Sequence, residues 1–482
     1  MNASGYPRRL KEALVGDPEA EFVLLCNFEA ERAWGAGAVG LPAPPSVAAA
    51  RPAQAMEELG VCLAGPGDQL LLGRPLDASF RAYLRTAGVT APTGITVDGP
   101  DTVETADRVL SDTRALARLR AAAERGAYLL PMGSTEGTRR IAALTGLRYA
   151  AADPAVAARV NSKIYARRLV EELELRAVPG RCCESVEDLA SALRAEPFEP
   201  HRPHEPFEPF EPHEPFEPLI VKDAFGVSGR GLLRLDSPVR ARRLLEMVRR
   251  RARRTGDDRL HVVVERFLPK TCDLFYQFTV AQDGSVVLDT VLETLLDNGV
   301  PQGNSAQSPW ALKHRAEIED CALRIGRALH RDGYHGVVGV DALCGADGTL
   351  HPVLEINARL NLPTYQLPLM GDRLASGLPY ALARQFTLRL SGALPFARLH
   401  AALEPVLTPC PDGAHAVLSC FAPLNALAEQ ARDGRSFPGR LYTCLFAPDP
   451  DSLARLELRV RDSLDALTGD SHHANKLGAI RA

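Results

Sequence analysis

Apolar positions along this chain alternate between short uninterrupted runs and helical spacing. Phe22 to Cys26 is an apolar run, the pattern of a buried strand. Val61 to Ala64 is a second run, entering the turn Gly65-Pro66-Gly67 as a strand would. Helical spacing covers Asp77 to Arg85 and Thr102 to Arg125. Ala127 to Pro131 is a third strand, after which Gly133-Ser134-Thr135-Glu136-Gly137 opens a helix. Strand and helix in alternation predict an α/β domain over residues 1–152, with polar residues 1–20 and the Pro/Ala-rich Leu41 to Pro52 as loosely ordered connections.

The second stretch, residues 153–388, begins as helix, strand and helix, the last capped by Ser185 with Asp188 three residues on. Residues 196–218 then repeat EPF, EPH and RPH units. Proline every third residue or so forbids helix and central strand, so this is an extended surface insertion. Its histidines His201, His204 and His213 leave metal binding as an alternative, with a tolerated surface insertion the better reading. Strands resume at Leu219–Asp223, His261–Glu265, Leu274–Ala281 and Val286–Leu292, and Val239 to Arg254 is a helix whose eight arginines read as a solvated face. A Gly/Pro/Asn loop is expected over Asp297 to Pro309, a helix over Ala311 to Asp332, and a hairpin from Gly336–Leu343 and Thr349–Ile356. Residues 389–482 read as a small C-terminal α/β domain.

Composition narrows the field. The 482 residues are 46% hydrophobic and 24% charged, with a net charge of −4, which is globular and offers no case for a nucleic-acid or anionic-membrane partner. No run approaches the ~18 apolar residues of a membrane helix, and the N-terminus lacks a signal-peptide core, so a cytoplasmic protein is expected. Ten scattered cysteines without CxxC spacing read as reduced, mostly buried thiols. Of the 56 basic residues only six are lysine (Lys11, Lys163, Lys222, Lys270, Lys313 and Lys476), so each lysine singles out a place where a compact charge on a flexible stem is needed.

Four segments carry candidate chemistry. Asp341 lies on one strand of the hairpin, and Glu355, Asn357 and Arg359 alternate along the other, sharing a face. Two carboxylates and a carboxamide suit magnesium, and the guanidinium suits a phosphoryl or carboxylate group. Lys222 ends a strand that runs into a loop with Gly226, Ser228, Gly229 and Gly231, a hairpin tip rich in free N–H groups that can cradle phosphate; the GxxxxGK[ST] order of a P-loop is absent. Val264-Glu265-Arg266-Phe267-Leu268 ends an apolar strand and could hold an adenine ring. Asn161-Ser162-Lys163 opens a helix.

In this order the segments resemble the ATP-grasp superfamily: an N(S/D)K-type helix start, a strand lysine before a glycine-rich flap, a VExxL-type hinge, and an acidic pair ending in ExNxR. Lys163 and Lys222 are 59 residues apart, and without the 23 residues of 196–218 the gap is 36, a compact helix–strand–helix connection. The resemblance implies an ATP-grasp fold, of mixed α/β (α+β) class, behind an N-terminal pre-ATP-grasp domain. The layout is similar to pheganomycin-type peptide ligases. It implies that Lys163, Lys222 and the flap residues contact ATP phosphates, that Glu265 and Leu268 hold adenine and Asp273 the ribose. It further implies that Asp341, Glu355 and Asn357 carry magnesium (manganese as the substitute), and that Arg359 stabilises the transferring phosphoryl. The implied reaction joins a small-molecule or peptide carboxylate to an amine through an acyl phosphate. The alternatives are acylation of a carrier-protein thiol, a carboxylase (disfavoured because nothing resembles a biotin-carrier segment), a small-molecule kinase and a non-catalytic nucleotide-binding regulator. Monomer and homodimer both stay open.

Overall fold

The computed structural model describes residues 5–42, 50–100, 103–194, 216–226, 231–297, 300–433 and 435–468. The N-terminal region is built on a parallel sheet of β1 (Phe22–Leu25), β2 (Gln69–Leu72), β3 (Thr93–Thr96), β4 (Tyr128–Pro131) and β5 (Arg148–Tyr149), in the order β3-β2-β1-β4-β5. Both faces are covered, which is why β1 reads as an unbroken apolar run. Leu24, Leu70 and Leu72 enter one core, while Val23, Leu25 and Leu71 enter another.

Three expectations fail here. Residues 1–20 are not merely a loose connection, since Tyr6–Val15 is a helix that buries Tyr6, Leu10 and Leu14. Val61 to Ala64 lies not in a strand but in the one-turn helix Gly60–Leu63. A four-residue apolar run has no period to distinguish the two, and Gly60 lets the turn lie against β2, since a Cβ there would stand 2.5 Å from Leu70 Cδ1. The helical stretch Thr102 to Arg125 is two helices, Thr105–Ser111 and Thr113–Glu124. Asp112 breaks it, because its Oδ1 accepts from the N–H groups of Arg114 and Ala115 and so caps the second helix.

The second sheet is antiparallel: β6 (Gly180–Ser185), β7 (Leu219–Asp223), β8 (Leu232–Leu235) and β9 (Arg259–Arg266), in the order β6-β9-β7-β8. The helices Val186–Ala192 and Pro238–Thr255 cover one face through Leu189, Leu244 and Val248. The arginine-rich helix buries only Ala241, Leu244 and Val248 and turns Arg242, Arg243, Arg250 and Arg253 to solvent. Of the proline-rich stretch, residues 196–215 lie outside the described residues. Its last residues belong to the sheet's margin: Pro218 O accepts from Phe267 N at 2.7 Å, and Glu217 pairs with Arg266 at 2.6 Å.

The third sheet has eight antiparallel strands, β14-β13-β10-β11-β12-β15-β17-β16. They are β10 (Lys270–Val280), β11 (Val286–Asp297), β12 (Val300–Ser305), β13 (Gly336–Gly345), β14 (Leu350–Asn357), β15 (Tyr380–Leu390), β16 (His415–Cys420) and β17 (Phe437–Ala447). The helix Arg315–Arg331 packs on it through Ile318, Ala322, Ile325 and Leu329. The expected loop Asp297–Pro309 contains β12, which joins β11 to β15. Its polar sequence hides it, and the glycine that suggested a loop serves a close approach: a Cβ on Gly303 would stand 2.1 Å from Ala383 O. Through β12 the sheet runs on into β15–β17, so the expected boundary at 388/389 falls within β15. Among the described residues no helix is long and apolar enough to cross a membrane, and all ten cysteines are free.

Candidate active site

The hairpin β13–β14 sets Asp341 opposite Glu355 and Gly339 opposite Asn357. Val337, Val338 and Val340 hold β13 in the core, and Gly339 is required by crowding, since a Cβ would stand 2.6 Å from the Asn361 side chain and 2.7 Å from Phe275. Asp341 is thereby carried into the interior. Among the described residues the one side-chain donor that reaches it is Asn357 Nδ2, at 3.2 Å from Oδ2. Burial, and then the Glu355 carboxylate beside it, push its carboxyl well above the usual carboxylate range. Glu355 is better matched, with Oε1 accepting from Lys163 Nζ at 2.6 Å. Arg359 follows on the same face, its Nη2 donating to Asn357 Oδ1 at 3.0 Å.

The second sheet supplies the opposing half. Lys222 on β7 reaches Glu265 on β9, Nζ to Oε2 at 2.6 Å, and both are buried. Arg167 stands 3.5 Å from the other Glu265 oxygen while donating to the carbonyls of Val178 and Gly180 at 2.5 and 2.7 Å. Lys163, the first residue of the helix Lys163–Glu172, also donates to Gly226 O at 2.8 Å, so it touches both halves. Lys163, Arg167, Lys222, Glu265, Val353 and Leu354 line one cleft of about 320 Å³, measured out to its mouth.

Gly226 and Gly231 bracket the tip of the β7–β8 hairpin. Gly231 has φ +76°, and a Cβ there would stand 2.5 Å from Asp223 Oδ2, so glycine is needed on both counts. Ser228 and Gly229 lie outside the described residues. Leu268 sits in the link from β9 to β10. Asp273 pairs with Lys270 at 2.6 Å near the start of β10. Sequence reasoning missed three residues. Arg167 was within reach, lying one helical turn after Lys163 and so on its face. Asn361 accepts from Arg359 Nη1 at 2.8 Å, two residues beyond the motif. Glu31 is 328 residues from Arg359, yet its Oε1 accepts from Arg359 Nε at 2.6 Å. Its only signal was a polar residue just past the carboxyl end of a parallel strand, where such sheets place ligand-facing groups.

The donor set fits a hard divalent cation. Two carboxylates in register and a carboxamide are oxygen ligands, and Asp341 is half-buried with no cationic side chain paired to it among the described residues. Asn357 would have to turn its Oδ1 from Arg359 to join them. Among the described residues there is no group of three or more His, Cys, Asp or Glu side chains able to hold a metal, so the carboxamide and the nucleotide's own oxygens would complete the shell.

These features define a class. A profile describing the pre-ATP-grasp domain matches residues 56–147, and the chain as a whole has the ATP-grasp fold. It superposes on N5-carboxyaminoimidazole synthetase from Staphylococcus aureus with a TM-score of 0.51 at 12% identity, covering 93% of this chain and 98% of that one. It superposes on biotin carboxylase from Campylobacter jejuni with a TM-score of 0.52 at 12% identity, covering 93% and 95%. At these identities the likeness shows the fold alone. In sequence, the chain is 30% identical over 224 residues to butirosin acyl-carrier protein–L-glutamate ligase of Niallia circulans, covering 46% of this chain and 48% of that one. The chain thus spans about half the length of the curated relative it matches.

Proposed function

We propose that the chain is an ATP- and magnesium-dependent ligase that activates a carboxylate as an acyl phosphate and passes the acyl group to an amine. The observation that carries this reading is a cationic cleft joined through Lys163 to a pair of carboxylates. Lys163, Lys222 and Arg167 line the cleft, and Lys163 Nζ reaches Glu355 Oε1 at 2.6 Å, where Glu355 stands in register with Asp341. A nucleotide with its magnesium complements both. Magnesium, or manganese in its place, would be held by Asp341, Glu355 and Asn357 and would neutralise charge on the phosphate oxygens.

In the first step a donor carboxylate oxygen attacks the γ-phosphorus and ADP leaves with the bond it loses. In the second the amine attacks the acyl carbon and inorganic phosphate departs. The protein positions and neutralises. Lys163 exchanges Glu355 for phosphate oxygen, Lys222 exchanges Glu265, and Arg359 steadies the oxyanion. Glu265 and Leu268 flank the adenine end, with Asp273 offered to the ribose. The Gly226–Gly231 flap keeps water from the acyl phosphate.

The test is ADP and phosphate release with ATP, magnesium and pools of amino acids and short peptides, with mass spectrometry of the products. An amide product that disappears in Glu355→Ala supports the ligase, and ATP binding without turnover on any pool or on native metabolite extract sinks it. The relative's name favours one second reading, a carrier-protein thiol as acyl acceptor. L-glutamate with a holo-carrier protein in the same assay distinguishes them: the carrier gains the acyl mass, or only free amine does.

A further inference from the structure

The guanidinium of Arg359 has five N–H donors, and all three of its nitrogens are engaged. Nε donates to Glu31 Oε1 at 2.6 Å, and Nη2 stands in ion-pair contact with the same oxygen. Nη2 donates to Asn357 Oδ1 at 3.0 Å. Nη1 donates to Asn361 Oδ1 at 2.8 Å and to Leu360 O at 3.4 Å. Three of these partners belong to residues 357–361, the strand end and link that carry Arg359 itself. Glu31 comes from the N-terminal domain, on the short helix Ala30–Trp34. Arg359 therefore cannot grip a substrate oxyanion until a partner lets go, and Glu31 is the one partner that is itself an oxyanion.

The Glu31 contact is also the least complete. Both Arg359 donors converge on Oε1, while Oε2 is buried with no hydrogen-bond partner. A guanidinium and a carboxylate pair best through two parallel bonds, one to each oxygen. A buried carboxylate oxygen left without a donor is costly, so this pairing is one a better-fitting anion can displace. The helix is itself well anchored. Trp34 Nε1 donates to Ser134 O at 2.7 Å, and Ala30 and Trp34 pack on Ala157. Beyond it, Val39 N donates to His261 Nδ1 at 3.0 Å and Leu41 N to Asp223 Oδ1 at 2.6 Å, tying the following strap to the flap-bearing sheet.

We propose that Glu31 is a placeholder anion: it occupies the Arg359 guanidinium in the resting enzyme and is exchanged for the oxyanion of the substrate, the donor carboxylate or the transferring phosphoryl. Glu31 then sets how tightly that anion is held, and the N-terminal domain supplies part of the anion site. This rests on the ligase reading for the role of Arg359.

Calorimetric titration with inorganic phosphate, and separately with acetate, tests it on wild type, Glu31→Gln and the double variant Glu31→Gln/Arg359→Gln. Glu31→Gln keeps an acceptor oxygen for Arg359 but removes the competing charge. It is expected to bind the matching anion about tenfold tighter than wild type, with the gain absent from the double variant. A gain with phosphate assigns the phosphoryl, and a gain with acetate assigns the donor carboxylate. No gain with either, or a gain that survives in the double variant, overturns the proposal, because an anchoring role for Glu31 predicts unchanged or weaker binding. Should the variants fail to fold, hydrogen exchange of wild type decides: saturating phosphate or acetate should speed exchange at amides of residues 30–34, and unchanged exchange with both overturns the exchange mechanism. MgATP binding to wild type is measured in parallel. Its absence removes the ligase reading while leaving the anion result to stand on its own.

Discussion

The two sheets that face each other across the cleft handle charge in opposite ways. On the four-stranded sheet, Glu265 lies between Lys222 at 2.6 Å and Arg167 at 3.5 Å, so a buried carboxylate is over-matched by cations. On the eight-stranded sheet, Glu355 pairs with Lys163, whereas Asp341 is hydrogen-bonded, among the described side chains, to an amide alone and feels Arg359 and Lys163 only at a distance, and the two carboxylates stand in register. A matched cluster holds together without a ligand. An uncompensated buried carboxylate is a cost to the fold, and it persists where something else neutralises it. Under the proposed function the asymmetry would set the polarity of the ligand, with phosphates towards the lysines and their cation towards Asp341.

Removing the unmatched charge should have the largest effect. Asp341→Asn is expected to lower ligase turnover about 10²–10³-fold, the scale of losing one electrostatic stabiliser of a phosphoryl transfer. The same variant should be more stable by about 1–3 kcal/mol, because a neutral carboxamide replaces a charge that burial disfavours. Product assays and denaturant melts check both signs, and a variant that loses activity and stability together would contradict the unmatched-charge account. Glu265→Gln makes the converse change, leaving Lys222 buried without its counter-charge, while Arg167 keeps Glu171 at 2.9 Å. It should cost about 3 kcal/mol of stability by denaturant melting, and equal stability with wild type would show that the cluster is not the matched one described. Lys163→Met touches both halves and should raise the KM for ATP about tenfold while kcat changes less, read from initial rates against ATP concentration.

Much of this site was legible from the sequence because its segments are local. Glu355, Asn357 and Arg359 alternate on one strand, and a short turn sets Asp341 beside them. Lysine stood out against an arginine background. The parts that were not legible depend on partners far apart in the chain. Glu31 meets Arg359 across 328 residues, and no periodicity encodes that. The strand β12 was hidden because Val-Pro-Gln-Gly-Asn-Ser has the composition of a loop, and only pairing on both sides makes it a strand. The run Val61–Ala64 was too short for its period to show. The continuity of the large sheet through β15 was equally out of reach, since it rests on three residue pairs between β12 and β15.

The smallest effect comes from carboxylates buried away from the cleft, and it separates burial from ligand preparation. Glu57 and Glu58 lie between the N-terminal domain and the C-terminal strands. Glu58 accepts from the N–H groups of Phe421 and Ala422 at 2.5 and 2.7 Å, and Glu57 from that of Gly73. Burial pushes the Glu57 carboxyl up to about 8 and that of Glu58 up to about 7, against an ordinary value of 4.5. With the folded value raised, the folded state holds a proton that the unfolded chain has released. The stability each group confers is complete below about pH 4.5 and drains away as pH rises through the folded value, near 8 for Glu57. Glu57→Gln should therefore flatten the decline in stability between about pH 5 and 8, by about 1 kcal/mol, in melts across that range. It should leave the KM for ATP unchanged, because Gly73 and Arg108 are its neighbours and neither lines the cleft. An unaltered slope would mean that Glu57 is ionised in the fold at neutral pH, its charge met by Arg108. Burial alone would then not raise a carboxyl in this protein, and the raised Asp341 would owe its state to Glu355 rather than to its depth.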